Sequence, residues 1–255
     1  MNRHCKKTLA AICLIALWAE SFATRHVATA DESAQTASAL QNDGCAGHRR
    51  RARRRARGGC CKVAAEASQS VALFDGKTLD GWNVTDFAGH GEVRVENGQM
   101  ILGTGEGLTG VNWKGKDLPK LNYEISLEAK RTEGTDIFCG LTFPVGDSFC
   151  SFIAGGWGGG VVGLSSLDDF DASDNESSSH VNFKENRWYR FRVVVRKDNI
   201  SAWIDDKKII DQDIKGRKVS VRIDIEDAQP LGISSWASTA AIRNFRLKKL
   251  PNDGS

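Results

Sequence analysis

Nine consecutive residues, Asp168 to Glu176, hold the densest group of side chains in this sequence that can perform chemistry. Six of them carry carboxylate or amide oxygens, namely Asp168, Asp169, Asp171, Asp174, Asn175 and Glu176. Oxygen ligands of this kind suit Ca²⁺ or another divalent cation, for which Asp169 and Asp171 are the candidate ligands. Crowded carboxylates also separate in pKa, which lets one act as an acid and another as a base. The alternative is a solvated acidic loop without chemistry.

A glycine-rich stretch around Trp157 is the second unusual feature. Residues 152–160 read Phe-Ile-Ala-Gly-Gly-Trp-Gly-Gly-Gly. Glycine weakens a strand unless another group must approach the backbone closely. One interpretation is a sugar-binding platform, in which Trp157 stacks on the apolar face of a pyranose. The other is a bent strand with Trp157 in the core. Asn175 and Asp147 are the polar side chains that we assign to the same substrate.

Several common catalytic arrangements are excluded. His90 and His180 are the only histidines after residue 70, so a three-histidine zinc site is excluded. The sequence lacks the Gly-x-Ser-x-Gly turn of serine hydrolases, the phosphate-binding loop and the CxxC spacing of zinc sites. The net charge of the whole chain is +3. Residues 1–70 carry a net charge of +7, so residues 71–255 carry a net charge of −4. We therefore expect no nucleic-acid binding by this part of the chain.

The first 30 residues predict an export signal. A positive start (Arg3, Lys6, Lys7) precedes the apolar run Leu9 to Trp18, and Ala28-Thr29-Ala30 fits a cleavage site for a signal peptidase. The apolar run is too short to span a bilayer as a helix. A retained membrane anchor is the alternative. We expect a protein located in the periplasm, in the cell envelope or outside the cell.

Residues 31–70 predict a disordered linker. The segment is rich in Ala, Ser, Gln, Gly and Arg, and it cannot bury enough apolar surface to offset its ordering entropy. Residues 49–57 contain seven arginines, which suggests contact with an anionic surface. The alternative is a plain solvated linker, because no aromatic residues stand between the arginines as stacking platforms.

Residues 71–250 predict a single all-β domain, followed by a tail at residues 251–255. Short alternating runs recur, as in Tyr123 to Ala129, where the odd-numbered residues are apolar and share one face. A long strand follows from Trp188 to Arg196. About 180 residues of short strands indicate one sandwich or jelly roll. Cys139 and Cys150 flank a hairpin turn, where they form a disulfide across it or lie as small residues in the core.

Two ends of this domain carry a family resemblance. Residues 73–82 read Leu-Phe-Asp-Gly-Lys-Thr-Leu-Asp-Gly-Trp. Asp75-Gly76 is a turn signal, since glycine accepts positive φ and Asp bonds its own backbone, and Trp82 is a large apolar anchor. The closing Ile242-Arg243-Asn244-Phe245 follows the Trp188 strand. Together they resemble the 3-keto-disaccharide hydrolase domain, or DUF1080 family. The resemblance implies a concanavalin A-like jelly-roll sandwich of two antiparallel sheets over residues 71–250.

The resemblance also implies an activity. The family is linked to cleavage of glycosides whose sugar carries a 3-keto group, which acidifies the C2 proton, so that a modest base can start elimination of the aglycone. Gly140 stands where the family usually has Arg, and the strand Cys150 to Ala154 lacks its acid–Gln pair. The candidate catalytic residues are therefore Asp136, Asp171 and Glu176. The alternative function is a non-catalytic carbohydrate-binding module of the cell envelope, similar to laminin-G and lectin sandwiches.

Overall fold

The computed structural model describes residues 70–116 and 118–252. The predicted export signal, the linker up to residue 69 and the arginine run at 49–57 lie outside the described residues. In the described part, no helix is long and apolar enough to cross a membrane.

Fifteen strands make up the domain. The first eight are β1 (Ser70–Ala72), β2 (Trp82–Val84), β3 (Val93–Glu96), β4 (Gln99–Leu102), β5 (Leu108–Trp113), β6 (Tyr123–Gly134), β7 (Cys139–Val145) and β8 (Ser148–Gly155). The others are β9 (Val161–Ser165), β10 (Ser179–His180), β11 (Tyr189–Val195), β12 (Asn199–Ile204), β13 (Lys207–Asp213), β14 (Gly232–Trp236) and β15 (Ser238–Lys249). One helical turn, α1 (Gly156–Gly159), and one 3-10 helix, Ile223–Ala228, complete the list for the described residues.

The strands form two antiparallel sheets, as predicted. The eight-stranded sheet has the order β13-β12-β11-β6-β15-β4-β3, with β1 added on β15. The seven-stranded sheet has the order β10-β9-β8-β7-β14-β5-β2. The apolar core lies between them, because residues with the period of a strand send alternate side chains to one face. In β6, Tyr123, Ile125, Leu127 and Ala129 are all buried, which confirms the predicted face.

The opening motif ties the start of the domain to its end. Asp75 accepts the backbone N–H groups of Lys77 at 2.7 Å and Thr78 at 2.9 Å, which closes the predicted turn. The indole N–H of Trp82 donates to the Leu73 carbonyl at 2.8 Å, and its ring centroid lies 5.0 Å from that of Phe245. The motif therefore anchors the start of the domain in the core through the Trp82 side chain.

The hairpin β7–β8 turns at Gly146 and Asp147, where the sequence predicted it. Cys139 faces Ala154 in the register, and Cys150 faces Phe143. The two cysteines are thus four residues out of step, and both are buried free thiols. The core interpretation of this pair holds, and the disulfide does not form.

Candidate functional site

The outward face of the seven-stranded sheet is lined by small and polar residues. The inward residues of β7, β8, β9 and β14 belong to the apolar core, so their neighbours in sequence point outward. Paired residues of neighbouring strands form two rows across this face, which together we call the floor. The first row is Gly110, Ser234, Gly140, Ile153 and Gly163, and the second row is Asn112, Gly232, Thr142, Ser151 and Ser165. The hydroxyls of Thr142 and Ser151 lie 2.8 Å apart. No strand of the floor contributes a carboxylate.

Two glycines of the floor lie where other segments of the chain pack directly on the sheet. A Cβ at Gly163 would lie 2.6 Å from the carbonyl oxygen of Ala172. Ala172 belongs to residues 168–176, which we call the acidic segment. A Cβ at Gly232 would lie 2.4 Å from the carbonyl oxygen of Ala228, in the 3-10 helix. The acidic segment and the 3-10 helix therefore form two walls on the sheet, and a side chain at either glycine would displace a wall.

The outer part of the acidic segment is neutralised by a basic stretch that follows β13. Asp168 accepts the Arg217 Nε–H at 2.5 Å and the Lys218 backbone N–H at 2.8 Å. These contacts, with the backbone bond first, lower the pKa of Asp168. Asp169 forms an ion pair with Lys218 at 2.7 Å. Both carboxylates thus have fixed cationic partners.

Glu176 is held in the same network. Its carboxylate pairs with Arg217 and accepts the Gln212 amide at 2.9 Å. The hydrogen bond from Arg217 is the main reason that the pKa of Glu176 falls to about 2. A carboxylate of such low pKa is a poor proton acceptor near neutral pH. The geometry gives Glu176 a structural role in closing the edge of the sandwich.

Asp171 is the predicted catalytic carboxylate that lies at the floor. Its Oδ1 accepts the hydroxyls of Ser165 at 3.2 Å and Ser166 at 3.4 Å. Its Oδ2 pairs with Arg222, which also binds Asp224 at 3.0 Å. The carboxylate therefore stands at the rim of the sheet face with one guanidinium and two hydroxyls as neighbours.

The two remaining polar candidates are used in other ways. Asn175 is buried, and its amide donates to the carbonyls of Leu164 and Asp171 at 2.7 and 2.8 Å, which holds the acidic segment together. Asp147 forms an exposed ion pair with Lys120 at 2.7 Å at the tip of the β7–β8 hairpin. The structure does not bring Asn175 and Asp147 together.

Among residues 70–116 and 118–252, no three His, Cys, Asp or Glu side chains gather as metal ligands. The expected ligands Asp169 and Asp171 face Lys218 and Arg222 instead. Cationic side chains thus occupy the positions around these carboxylates where we expected a divalent cation.

Trp157 lies on an exposed turn and not in the core. The turn that joins β8 to β9, residues 155–160, is called the Trp157 turn here. The Trp157 side chain is 44% exposed, with φ at +49°, and Gly155, Gly158 and Gly159 also have positive φ. Glycine tolerates that region without strain. The exposure of the indole favours the platform interpretation of the glycine-rich stretch.

Asp136 braces this turn from below. Its carboxylate is buried and accepts the backbone N–H groups of Gly158 and Ile137, both at 2.8 Å. Its own backbone N–H donates to Ser238 Oγ at 2.9 Å. The predicted catalytic residue Asp136 is therefore engaged in shaping the Trp157 turn.

Sequence reasoning missed a second exposed tryptophan at this end of the sheet. Trp236 ends β14 and is 45% exposed. Its backbone N–H donates to the Ile137 carbonyl at 2.9 Å, and the Ile137 side chain reaches Gly156, since a Cβ there would lie 3.4 Å from it. The alternation that sends Ser234 outward also sends Trp236 outward, and that was the available signal.

The candidate residues thus fall into two groups. Asp136, Trp157 and Trp236 lie at the turn end of the sheet, whereas Asp171 contacts Ser165 at the other end of β9. The Cα atoms of Val161 and Ser165 are four residue steps apart along β9, which corresponds to a distance of about 13 Å. The residues predicted for binding and the carboxylate predicted for acid–base chemistry therefore lie at opposite ends of β9 and are not in contact.

Comparison with solved structures gives distant likenesses in fold. The Crh5 transglycosylase in complex with NAG matches with a TM-score of 0.52 and 15% identity, covering 73% of this chain and 86% of that chain. The carbohydrate-binding module CBM66 from Bacillus subtilis matches with a TM-score of 0.43 and 13% identity, over 66% of this chain and 96% of that chain. The first likeness supports the sandwich fold.

No protein of curated function matches the chain. The family model described as the 3-keto-alpha-glucoside-1,2-lyase-like domain matches residues 69–248. This range spans both sheets, from the opening Trp82 motif to the end of β15. The chain therefore belongs to the 3-keto-alpha-glucoside-1,2-lyase-like domain family.

Proposed function

We propose that this domain binds carbohydrate at the turn end of the seven-stranded sheet, with Trp157 as the stacking platform. The observation that carries the proposal is the exposed indole on a turn braced by Asp136. An exposed aromatic ring normally costs free energy in water, and a fixed one is suited to stack on an apolar sugar face. Membership of a family named for glycoside chemistry supports carbohydrate as the ligand.

Trp236 extends this surface. The two exposed indoles lie on β14 and on the turn after β8, with β7 between these strands. Two strand spacings correspond to about 10 Å between the strands. A ligand longer than one sugar ring therefore has a second aromatic contact, and we expect oligosaccharides to bind more tightly than monosaccharides.

Isothermal titration of the full chain with a panel of di- and oligosaccharides tests the proposal. Trp157→Ala should weaken binding about tenfold or more, since a stacked ring contributes on the order of 1–3 kcal/mol. Phe170→Ala is the matched control, because Phe170 is also an exposed aromatic residue but lies on the acidic segment. Equal binding by the wild type and Trp157→Ala, or no binding of any glycan, would overturn the proposal.

A second candidate is cleavage of 3-keto-glycosides, which the family membership and the place of Asp171 favour. The 3-keto group acidifies the C2–H bond. The Asp171 carboxylate takes that proton, the C1–O bond breaks, and a C1–C2 double bond forms while the aglycone oxygen gains a proton. Water then adds across the double bond. Arg222 and the Ser165 hydroxyl are the donors near the developing oxyanion.

Release of the aglycone from a 3-keto-disaccharide, compared with the same disaccharide without the keto group, tests this candidate. We expect turnover of the keto form only, with Asp171→Asn lowering kcat about a hundredfold or more. Asp174→Asn is the control, because the Asp174 carboxylate accepts a hydrogen bond from the neighbouring Ser173 hydroxyl and, among the described residues, from no other group. Assays with Ca²⁺ and with EDTA test the expected cation. Absence of turnover, with glycan binding retained, would leave a non-catalytic carbohydrate-binding module.

A further inference from the structure

Arg131 is a buried cation without a carboxylate partner. The residue lies in β6 and is 9% exposed, and no Asp or Glu among the described residues lies within 4.0 Å of its nitrogens. Nη1 donates to the Asp136 carbonyl at 3.3 Å and Nη2 to the Phe183 carbonyl at 3.5 Å, both long bonds. Nε has no partner. Its Cζ lies 5.7 Å from the centroid of the Phe138 ring, but no anion among the described residues offsets this buried charge, and a buried charge is normally paired.

The guanidinium lies directly beneath Gly159 of the Trp157 turn. A Cβ at Gly159 would lie 3.2 Å from Nη1 and 3.7 Å from Nη2 of Arg131. Gly159 has φ at +110° and is partly exposed, and the Thr135 carbonyl oxygen would lie 2.8 Å from the same Cβ. The Asp136 carboxylate accepts the backbone N–H groups of Ile137 and Gly158, and it forms no ion pair with Arg131 within 4.0 Å.

The imidazole of His180 lies against Gly160, the next glycine of the turn. The exposed side chain of His180 packs on Gly160, where a Cβ would lie 2.0 Å from its Cε1. His180 also lines an open cleft of about 790 Å³ at the edge of the sandwich, together with Arg187 and Lys207. Trp157, Arg131 and His180 are thus grouped around three consecutive glycines, beside room for a ligand.

We propose that the Trp157 turn recognises a uronic acid, that is, a sugar ring that carries a carboxylate. The ring stacks on Trp157, and the carboxylate lies over Gly159, where it pairs with the Arg131 guanidinium and accepts a hydrogen bond from His180. This inference rests on the proposed carbohydrate binding and names its substrate class. A planar carboxylate matches the fork of a guanidinium, whereas a neutral sugar would leave the Arg131 charge unpaired.

The test compares an oligogalacturonate with its carboxyl-reduced neutral counterpart by isothermal titration of the full chain. The two ligands share the rings and the linkages, so their affinity ratio isolates the carboxylate. We expect the acid to bind about tenfold to a hundredfold more tightly, as a charge-assisted hydrogen bond implies. Its affinity should fall as salt rises, since an anion is being bound.

Three variants separate recognition from folding. Arg131→Lys keeps the charge but loses the fork, and His180→Ala changes an exposed residue, so at least the second remains folded. Both should reduce the affinity ratio toward one, whereas a structural role of Arg131 would weaken both ligands equally. His90→Ala, an exposed histidine of another loop, is the control.

The outcomes are distinguishable. A ratio near one in the wild type, with both ligands bound, overturns the inference and leaves the proposed carbohydrate binding intact. Binding of neither ligand, when other glycans bind through Trp157, also overturns the inference alone. Absence of binding for every glycan overturns both. A ratio that is high in the wild type and unchanged in Arg131→Lys and His180→Ala places the anion contact elsewhere and overturns the assignment.

Discussion

The carboxylate of Asp136 accepts the backbone N–H of Gly158 at 2.8 Å, although 22 residues separate them in the chain. A second bond to the Ile137 N–H fixes the carboxylate on both sides. The residue therefore holds the backbone of the Trp157 turn next to the exposed indole. This acidic residue is thus part of the support for the proposed binding surface.

We expect Asp136→Ala to destabilise the domain and to loosen the Trp157 turn. The substitution leaves two partly buried backbone N–H groups without their acceptor, which costs about 1–3 kcal/mol each at most. Urea unfolding should show the loss of stability, and acrylamide quenching should show a more accessible Trp157. Glycan binding should weaken even under conditions where the variant is folded.

Asp147→Ala is the matched control for that change. Asp147 is also an aspartate in a hairpin, but its side chain is 97% exposed and its partner is Lys120 at the surface. Surface ion pairs of this kind contribute roughly 0–1 kcal/mol. Equal destabilisation by Asp136→Ala and Asp147→Ala would contradict the bracing role of Asp136.

Gly81 is the glycine of the opening motif that the fold requires most strictly. Its φ is +86°, and a Cβ would lie 2.5 Å from the Trp113 ring. We expect Gly81→Ala to lower the free energy of unfolding by about 2 kcal/mol or more, because a left-handed alanine costs about 1–2 kcal/mol and the ring must also move. Gly216→Ala has a similar φ of +71° with nothing within 4 Å, so it isolates the backbone cost. Equal losses in the two variants would show that the Trp113 contact is unimportant.

The regular parts of this fold could be predicted because their signals are local. Alternation in β6 gave its buried face, and the Asp75-Gly76 turn followed from the two residues themselves. Each signal lies within a few residues, and each acts on the backbone directly. Family membership could likewise be inferred from the two ends of the domain, since both ends anchor the core through Trp82 and Phe245.

The roles of the acidic residues could not be predicted in the same way. Asp168 finds Arg217 at a sequence separation of 49, and Asp171 finds Arg222 at a separation of 51. Nothing in the acidic run itself indicates these partners, because they depend on how the stretch after β13 crosses the sheet. Alternation along β14 indicates that Trp236 points outward, but its exposure also depends on where β14 ends relative to the loop that carries Ile137.

The thiols of Cys139 and Cys150 should be unreactive in the native protein. Both side chains are fully buried, and burial raises the pKa of Cys150 to about 12 and also raises that of Cys139. The reactive form is the thiolate, which is then scarce at neutral pH. We expect alkylation of the native chain, followed by peptide mapping, to leave both cysteines unmodified, and alkylation in urea to modify both. A disulfide-linked peptide that contains the pair would contradict the structure.

Stability should depend on pH through the ion pair of Glu176 and Arg217. This pairing lowers the pKa of Glu176 from 4.5 to about 2, so the folded state holds its proton less tightly than the unfolded chain. The contribution is therefore complete above about pH 4.5 and is lost as pH falls toward 2. The Glu176 side chain is half exposed, so solvent screening keeps the effect modest.

Urea midpoints measured from pH 6 to pH 2 test this prediction. Glu176→Gln should be less stable than the wild type at pH 6, and the gap should narrow as the pH falls, because protonation removes the same charge from the wild type. Glu185→Gln is the control, since Glu185 is exposed and forms no ion pair among the described residues. Parallel pH curves for the wild type and Glu176→Gln would show that the acidic segment does not depend on this pairing, and the buried Asn175 and the pairs of Asp168 and Asp171 would then have to hold it in place.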